Sequence, residues 1–145
     1  MDPKFQVSLK IRKPVAEVFQ AVVDPGKLSV YFVSKASGPL IAGAAVQWEF
    51  AEAPGVVEVA VGEVEQDRRI TLRWAGGRSY DTAVEMLFEP TESGDTIVRI
   101  SEAGWHVADE GIQLACGNAG GWMHMMCGLK AWLEYGLNLR AGGAI

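Results

Sequence analysis

Histidine and cysteine are scarce in this chain: 145 residues carry two of each. Cys116 and Cys127 stand eleven positions apart, which on one helix separates their Cα atoms by ~16 Å, whereas a disulfide needs less than ~7 Å. Both are expected as reduced, buried or half-buried thiols, in keeping with a cytoplasmic location. His124 and Cys127 share the stretch WMHMMC, but a third and fourth ligand at zinc spacing are missing, so no metal and no cofactor are expected. Long apolar runs are also missing, and the opening MDPKFQVSLKIRK lacks the continuous apolar core of a secretory signal; no membrane partner is expected. Positive charge is sparse: the net charge is −5, with local basic concentrations only at Lys10, Arg12, Lys13 and at Arg68, Arg69. That balance argues against nucleic acid. Neither the glycine-flanked serine of a nucleophile elbow nor a GxGxxG loop after a strand is present.

What the chain does have is pattern. Phe5, Val7, Leu9 and Ile11 alternate with polar residues, the period of a half-buried strand. Pro14 opens a short amphipathic helix on Val15, Val18, Phe19 and Val22, stopped by Asp24-Pro25-Gly26. The apolar knot Leu28, Val30, Tyr31, Phe32 is read as a second short helix or lid, and alternatively as an exposed interaction patch. Five alternating segments follow, centred on Val46 to Phe50, Val57 to Val61, Ile70 to Trp74, Tyr80 to Phe88 and Thr96 to Glu102. Short spacers such as Ala53-Pro54-Gly55 suit antiparallel hairpins. From Gly121 to Arg140 the period becomes helical, and Trp122, Met125, Met126, Leu129, Trp132, Leu133, Leu137 and Leu139 fall within an arc of roughly 160°. Residues 106 to 121, rich in glycine, are read as a mobile, partly helical connector. A single α+β domain over 1–145 is expected, in which a curved antiparallel six-stranded sheet wraps a long C-terminal helix.

This order resembles the START-like, or helix-grip (SRPBCC), superfamily, and within it the activator of Hsp90 ATPase homologue 1-like family. The likeness rests on IRKPVAEVFQAVV (11–23), GEVEQDRRITLRW (62–74), Glu102-Ala103-Gly104-Trp105, Gly121-Trp122 and LKAWLEYG (129–136). It implies a cavity between the sheet and the terminal helix that holds an apolar or amphipathic small molecule. Chaperone stimulation is not carried over, because the full eukaryotic activator has a separate amino-terminal domain.

Strand parity turns Trp48, Trp74, Tyr80, Thr82 and Glu102 inward, to face Trp122, Met125, Met126 and Trp132 on the helix. Those nine residues are the expected ligand-binding set. Alternation does not distinguish an open cavity from a filled core. Glu102 is the sharpest of them, since a buried carboxylate demands partners: it either orients a ligand or serves as a general acid/base, or it escapes to water at its strand's end. Glu63 shares that ambiguity. His106 is a catalytic candidate beside Glu102, and Glu102 with His106 or Tyr80 gives a cyclase, dehydratase or hydrolase as the alternative to a binder. A third reading is a chaperone-interaction or homodimerisation module. His124 is placed on the polar side of the helix.

Overall fold

The computed structural model describes residues 2–145. Strand β1 (Lys4–Ile11) is followed by two short helices, α1 (Val15–Val23) and α2 (Pro25–Tyr31). Next come β2 (Lys35–Ala36), β3 (Ala45–Phe50), β4 (Ala53–Glu65), β5 (Arg69–Trp74), β6 (Thr82–Pro90) and β7 (Thr96–Ala103), and last α3 (Asp109–Tyr135). The strands form one curved antiparallel sheet in the order β1-β7-β6-β5-β4-β3-β2. Seven strands therefore stand where six are expected; the addition, β2, contributes only two residues against Trp48 and Glu49.

The expected strand parity holds where it matters. Val46 and Trp48, Val59 and Val61, Ile70 and Leu72, Val84, Met86 and Phe88, and Val98 and Ile100 are all buried on the face that meets the helices. Beyond Val61 the β4–β5 register shifts, so that Val61 pairs with Leu72 and Val64 with Ile70. This bulge keeps both valines inward and sends Glu63 out to an ion pair with Arg69; the ambiguity over Glu63 is settled as an exposed carboxylate. The β3–β4 turn falls at Ala51-Glu52, and Ala53 already pairs with Phe50, so Ala53-Pro54-Gly55 belongs to the strand and not to a spacer.

α2 is capped by the Asp24 side chain, which accepts from the Lys27 N–H at 3.1 Å. The apolar knot proves to be core: Leu28, Tyr31 and Phe32 are buried, so the exposed patch expected there does not exist. The Tyr31 hydroxyl donates to the Ala21 carbonyl at 3.0 Å.

The terminal helix differs most from expectation. It begins at Asp109 instead of Gly121, and ends at Tyr135 instead of Arg140. Asp109 and Glu110 in its first turn favour the positive end of the helix dipole. Gly111 packs so closely that a Cβ would overlap the His106 carbonyl oxygen, and burial of Ala115, Trp122, Met125, Met126 and Leu129 offsets the ~1 kcal/mol that each interior glycine costs. The connector expected over 106 to 121 is thus mostly regular helix. Gly136, at φ +67°, donates to the Ala131 and Trp132 carbonyls and ends it in a left-handed cap. Leu137 and Leu139, past that stop, are exposed and belong to no helical face. Cys116 is exposed and Cys127 half-buried, both free thiols; Cys116 departs from the expected burial. Among the described residues no helix is long and apolar enough to cross a membrane.

Candidate ligand site

Glu102 sits near the end of β7, paired with Phe5 on one side and Val84 on the other, and is 1% exposed. It does not escape to water. Its Oε2 accepts from Trp74 Nε1 at 2.8 Å and from Thr82 Oγ1 at 2.6 Å, and its Oε1 accepts from Trp122 Nε1 at 2.8 Å. A fourth group, Asn118 Nδ2, bridges both oxygens at 3.3 and 3.2 Å. The four donors are neutral, and they come from β5, β6 and two successive turns of α3. Trp74 and Thr82 pair across β5–β6, while Asn118 and Trp122 are an i, i+4 pair on one helix face. One buried carboxylate therefore ties sheet to helix. The cost of burying it is offset by hydrogen bonds on both oxygens.

Gly76 completes this junction. A Cβ there would overlap Thr82 Oγ1 and lie 2.6 Å from Glu102 Oε2, and its carbonyl accepts from Trp105 Nε1 at 3.0 Å. Only a residue without a side chain lets the β5–β6 loop close over the carboxylate.

By fixing two indole N–H groups, Glu102 also fixes two indole faces. Trp74 and Trp122 lie with centroids 5.1 Å apart and planes 34° apart, and Phe32 approaches Trp122 at 5.6 Å. These rings, with Phe50, wall a slot of about 200 Å³ between β3, β5 and α3. Gly121 leaves the helix side of the slot bare, since a Cβ there would meet nothing within 4 Å. The mouth is polar. Arg140, from the tail after α3, pairs with Glu52 and approaches His124 Nδ1 at 3.3 Å. The Arg140 hydrogen bond holds the Glu52 carboxyl below the usual carboxylate range, against the opposing effect of burial. A second hollow of about 270 Å³ adjoins the first and shares Phe50, Trp74 and Asn118 with it. A broader concavity of about 540 Å³ lies on the opposite face of the sheet, floored by small side chains such as Ala83, Ser101 and Ala103.

Of the expected ligand-binding residues, the structure brings Trp74, Thr82, Glu102 and Trp122 together, two as slot walls and two behind them. Trp48 is buried and meets Trp74 edge-on at 6.0 Å; its Nε1 is the one buried side-chain nitrogen or oxygen among the described residues without a hydrogen-bond partner. Met125 and Met126 are buried in the core, and Trp132 stacks on Tyr31 at 5.8 Å. Tyr80 precedes β6 and lies in a loop, where its ring stacks on His106 at 3.7 Å and its hydroxyl accepts the His106 backbone N–H at 2.9 Å. His106 is exposed and is not among the donors to Glu102. His124, expected on the polar side away from the wall, lines the mouth of the slot; the reason is that the tail folds back and covers that side of α3. Asn118, Gly76, Phe32, Phe50, Glu52 and Arg140 are site residues that sequence reasoning missed. Among the described residues no group of three or more His, Cys, Asp or Glu side chains is placed to hold a metal ion.

A curved antiparallel sheet closed around one long helix, with short helices after the first strand, defines the helix-grip class. The sequence model of the activator of Hsp90 ATPase homolog 1-like protein family matches residues 12–134, and the chain belongs to that family. Solved structures agree. A protein from Staphylococcus saprophyticus, SSP2350, is 25% identical with a TM-score of 0.81, over 94% of this chain and 96% of that one. DynU16, a protein of the dynemicin biosynthetic locus, is 23% identical with a TM-score of 0.82, over 94% of this chain and 49% of that one. The Aha1 dimer from Colwellia psychrerythraea is 22% identical with a TM-score of 0.76, over 92% of this chain and 97% of that one. Comparison with curated proteins finds no match. The fold supports ligand binding in general.

Proposed function

We propose that this chain binds a small, flat, amphipathic molecule in the slot walled by Phe32, Phe50, Trp74 and Trp122, with its apolar body against the rings. The observation that carries this reading is the use of one buried carboxylate to hold two indoles in place. A core that only needed filling gains nothing from burying a carboxylate, since an apolar group of equal volume costs less. Rigid aromatic walls lose little entropy when a ligand arrives. A volume of about 200 Å³ lies below the usual range for drug-sized ligands and suits one or two fused rings. Glu102, enclosed by its four donors, acts in this reading on the walls rather than as a proton carrier.

The test is native mass spectrometry of the protein as purified, followed by thermal-shift screening of one- and two-ring aromatic compounds on the natural chain and on Gly121→Leu, which fills the slot from its bare side. Retained or stabilising small molecules that Gly121→Leu no longer holds would support the reading. A folded natural chain that retains nothing and responds to no compound, or whose responses survive in Gly121→Leu, would end it.

A further inference from the structure

Three of the four donors to Glu102 are held at 2.6 to 2.8 Å, whereas Asn118 spreads one amide over both oxygens at 3.2 and 3.3 Å. The weak member is also the one in the way. Asn118 lines the slot and the adjoining hollow alike, and with Trp74 it separates them. Thr82 is fully buried, and the two indoles are wedged among other rings. Asn118 is half-buried, and the neighbouring Gly117 and Gly121 leave open space around it on α3. No donor among the described residues reaches its Oδ1, so its outward swing breaks only the two long bonds to Glu102.

We infer that Asn118 is an exchangeable plug, and that the ligand of the slot carries a neutral N–H or O–H donor that takes the place of the Asn118 amide on Glu102. This inference rests on the slot reading above and names its ligand class: a fused or single aromatic ring bearing one neutral donor, such as an N–H heteroaromatic or a phenol. The chemistry selects against two neighbours of that class. A ring without a donor would leave Glu102 short of a partner once Asn118 has moved. An aromatic carboxylate would bring an acceptor to an acceptor, and the positive charge at the mouth, Arg140, is already engaged by Glu52. A hydrogen bond to a buried carboxyl group distinguishes a donor from its isostere about tenfold or more.

The experiment compares indole with benzofuran, which has the same shape but no N–H, by titrating each into the ¹⁵N-labelled chain and following the Trp74 and Trp122 indole resonances. The inference expects indole to bind at least ~10-fold more tightly than benzofuran. It further expects Asn118→Ala to bind indole several-fold more tightly than the natural chain, because the plug no longer competes. Equal binding of both compounds, or an Asn118→Ala chain that gains nothing for indole, would overturn the exchange and leave the slot standing. If neither compound moves either indole resonance, the exchange and the slot reading fall together. Asn118→Ala removes only the two long bonds to Glu102, so the variant is expected to fold.

Discussion

Helix α3 is anchored to the sheet by two buried carboxylates, one at its middle and one at its C-terminal end, and the two anchors are built from opposite chemistry. At its C-terminal end Glu134, whose side chain is 2% exposed, takes Lys130 Nζ at 2.6 Å, Arg12 Nε at 2.7 Å and the Arg12 backbone N–H at 2.9 Å. Lys130 also donates to the Lys10 carbonyl at 2.7 Å, so the end of β1 is bolted to the last turns of the helix. At its middle Glu102 takes only neutral donors. Cations answer a carboxylate with charge and lock it; neutral donors answer it with geometry, and a geometric partner is replaceable by any group of the same shape. The groups around Glu102 line two open hollows. One anchor is a bolt. The other has the makings of a site.

Three perturbations sharpen that contrast, the first having the largest expected effect. Glu102→Ala removes the common acceptor of two indoles and a buried hydroxyl, so the chain is expected to lose roughly 3–5 kcal/mol in denaturant unfolding; a loss under ~1 kcal/mol would show that the junction does not hold the fold. The second uses pH. Burial pushes the Glu134 carboxyl up, but the Arg12 backbone N–H, the Lys130 ammonium and the Arg12 guanidinium outweigh it and hold it at about 2, below its ordinary 4.5. The folded-state value is the depressed one, so this stabilisation is fully present above about 4.5 and is lost as pH falls toward about 2. It amounts to about 3 kcal/mol at most. Glu134→Gln should therefore be less stable than the natural chain at pH 7 and converge with it near pH 2; parallel curves would contradict the bolt. The smallest effect is expected from Gly121→Ala, which replaces an exposed interior glycine where a Cβ meets open space. A gain of ~0.5–1 kcal/mol is predicted, and destabilisation on thermal unfolding would show that α3 needs its flexibility at the slot.

Part of the site is legible in the sequence and the bolt is not, for physical reasons. Strand periodicity turns Trp74, Thr82 and Glu102 inward because alternation is a property of the backbone, and the β5, β6 and β7 registers keep it. The α3 face of Trp122, Met125, Met126 and Leu129 follows from helical spacing for the same reason. What spacing does not reveal is tertiary. Gly117, Gly120 and Gly121 carry low helix propensity and hide Asn118 inside what reads as a connector, and only packing of Gly111 and Ala115 on the loop and sheet extends the helix through them. One signal was available: Asn118 stands four residues before Trp122, so continuing the helix backward would have put both on one face. Gly76 reads as an ordinary turn glycine until the carboxylate beside it is known. Arg140 and Glu52 lie 88 residues apart, in a tail and a hairpin turn, and nothing local connects them. Tyr80 shows the converse error: alternation extended one step past the strand assigns an inward face to a loop residue that stacks on His106 instead.

The most direct measurement is a crystal structure of the natural chain with indole. Density is predicted for the ligand against the Trp74 and Trp122 rings, its N–H directed at Glu102 and the Asn118 side chain turned away. Indole found only in the concavity on the outer face of the sheet, or an unchanged Asn118 with an empty slot at saturating ligand, would contradict it.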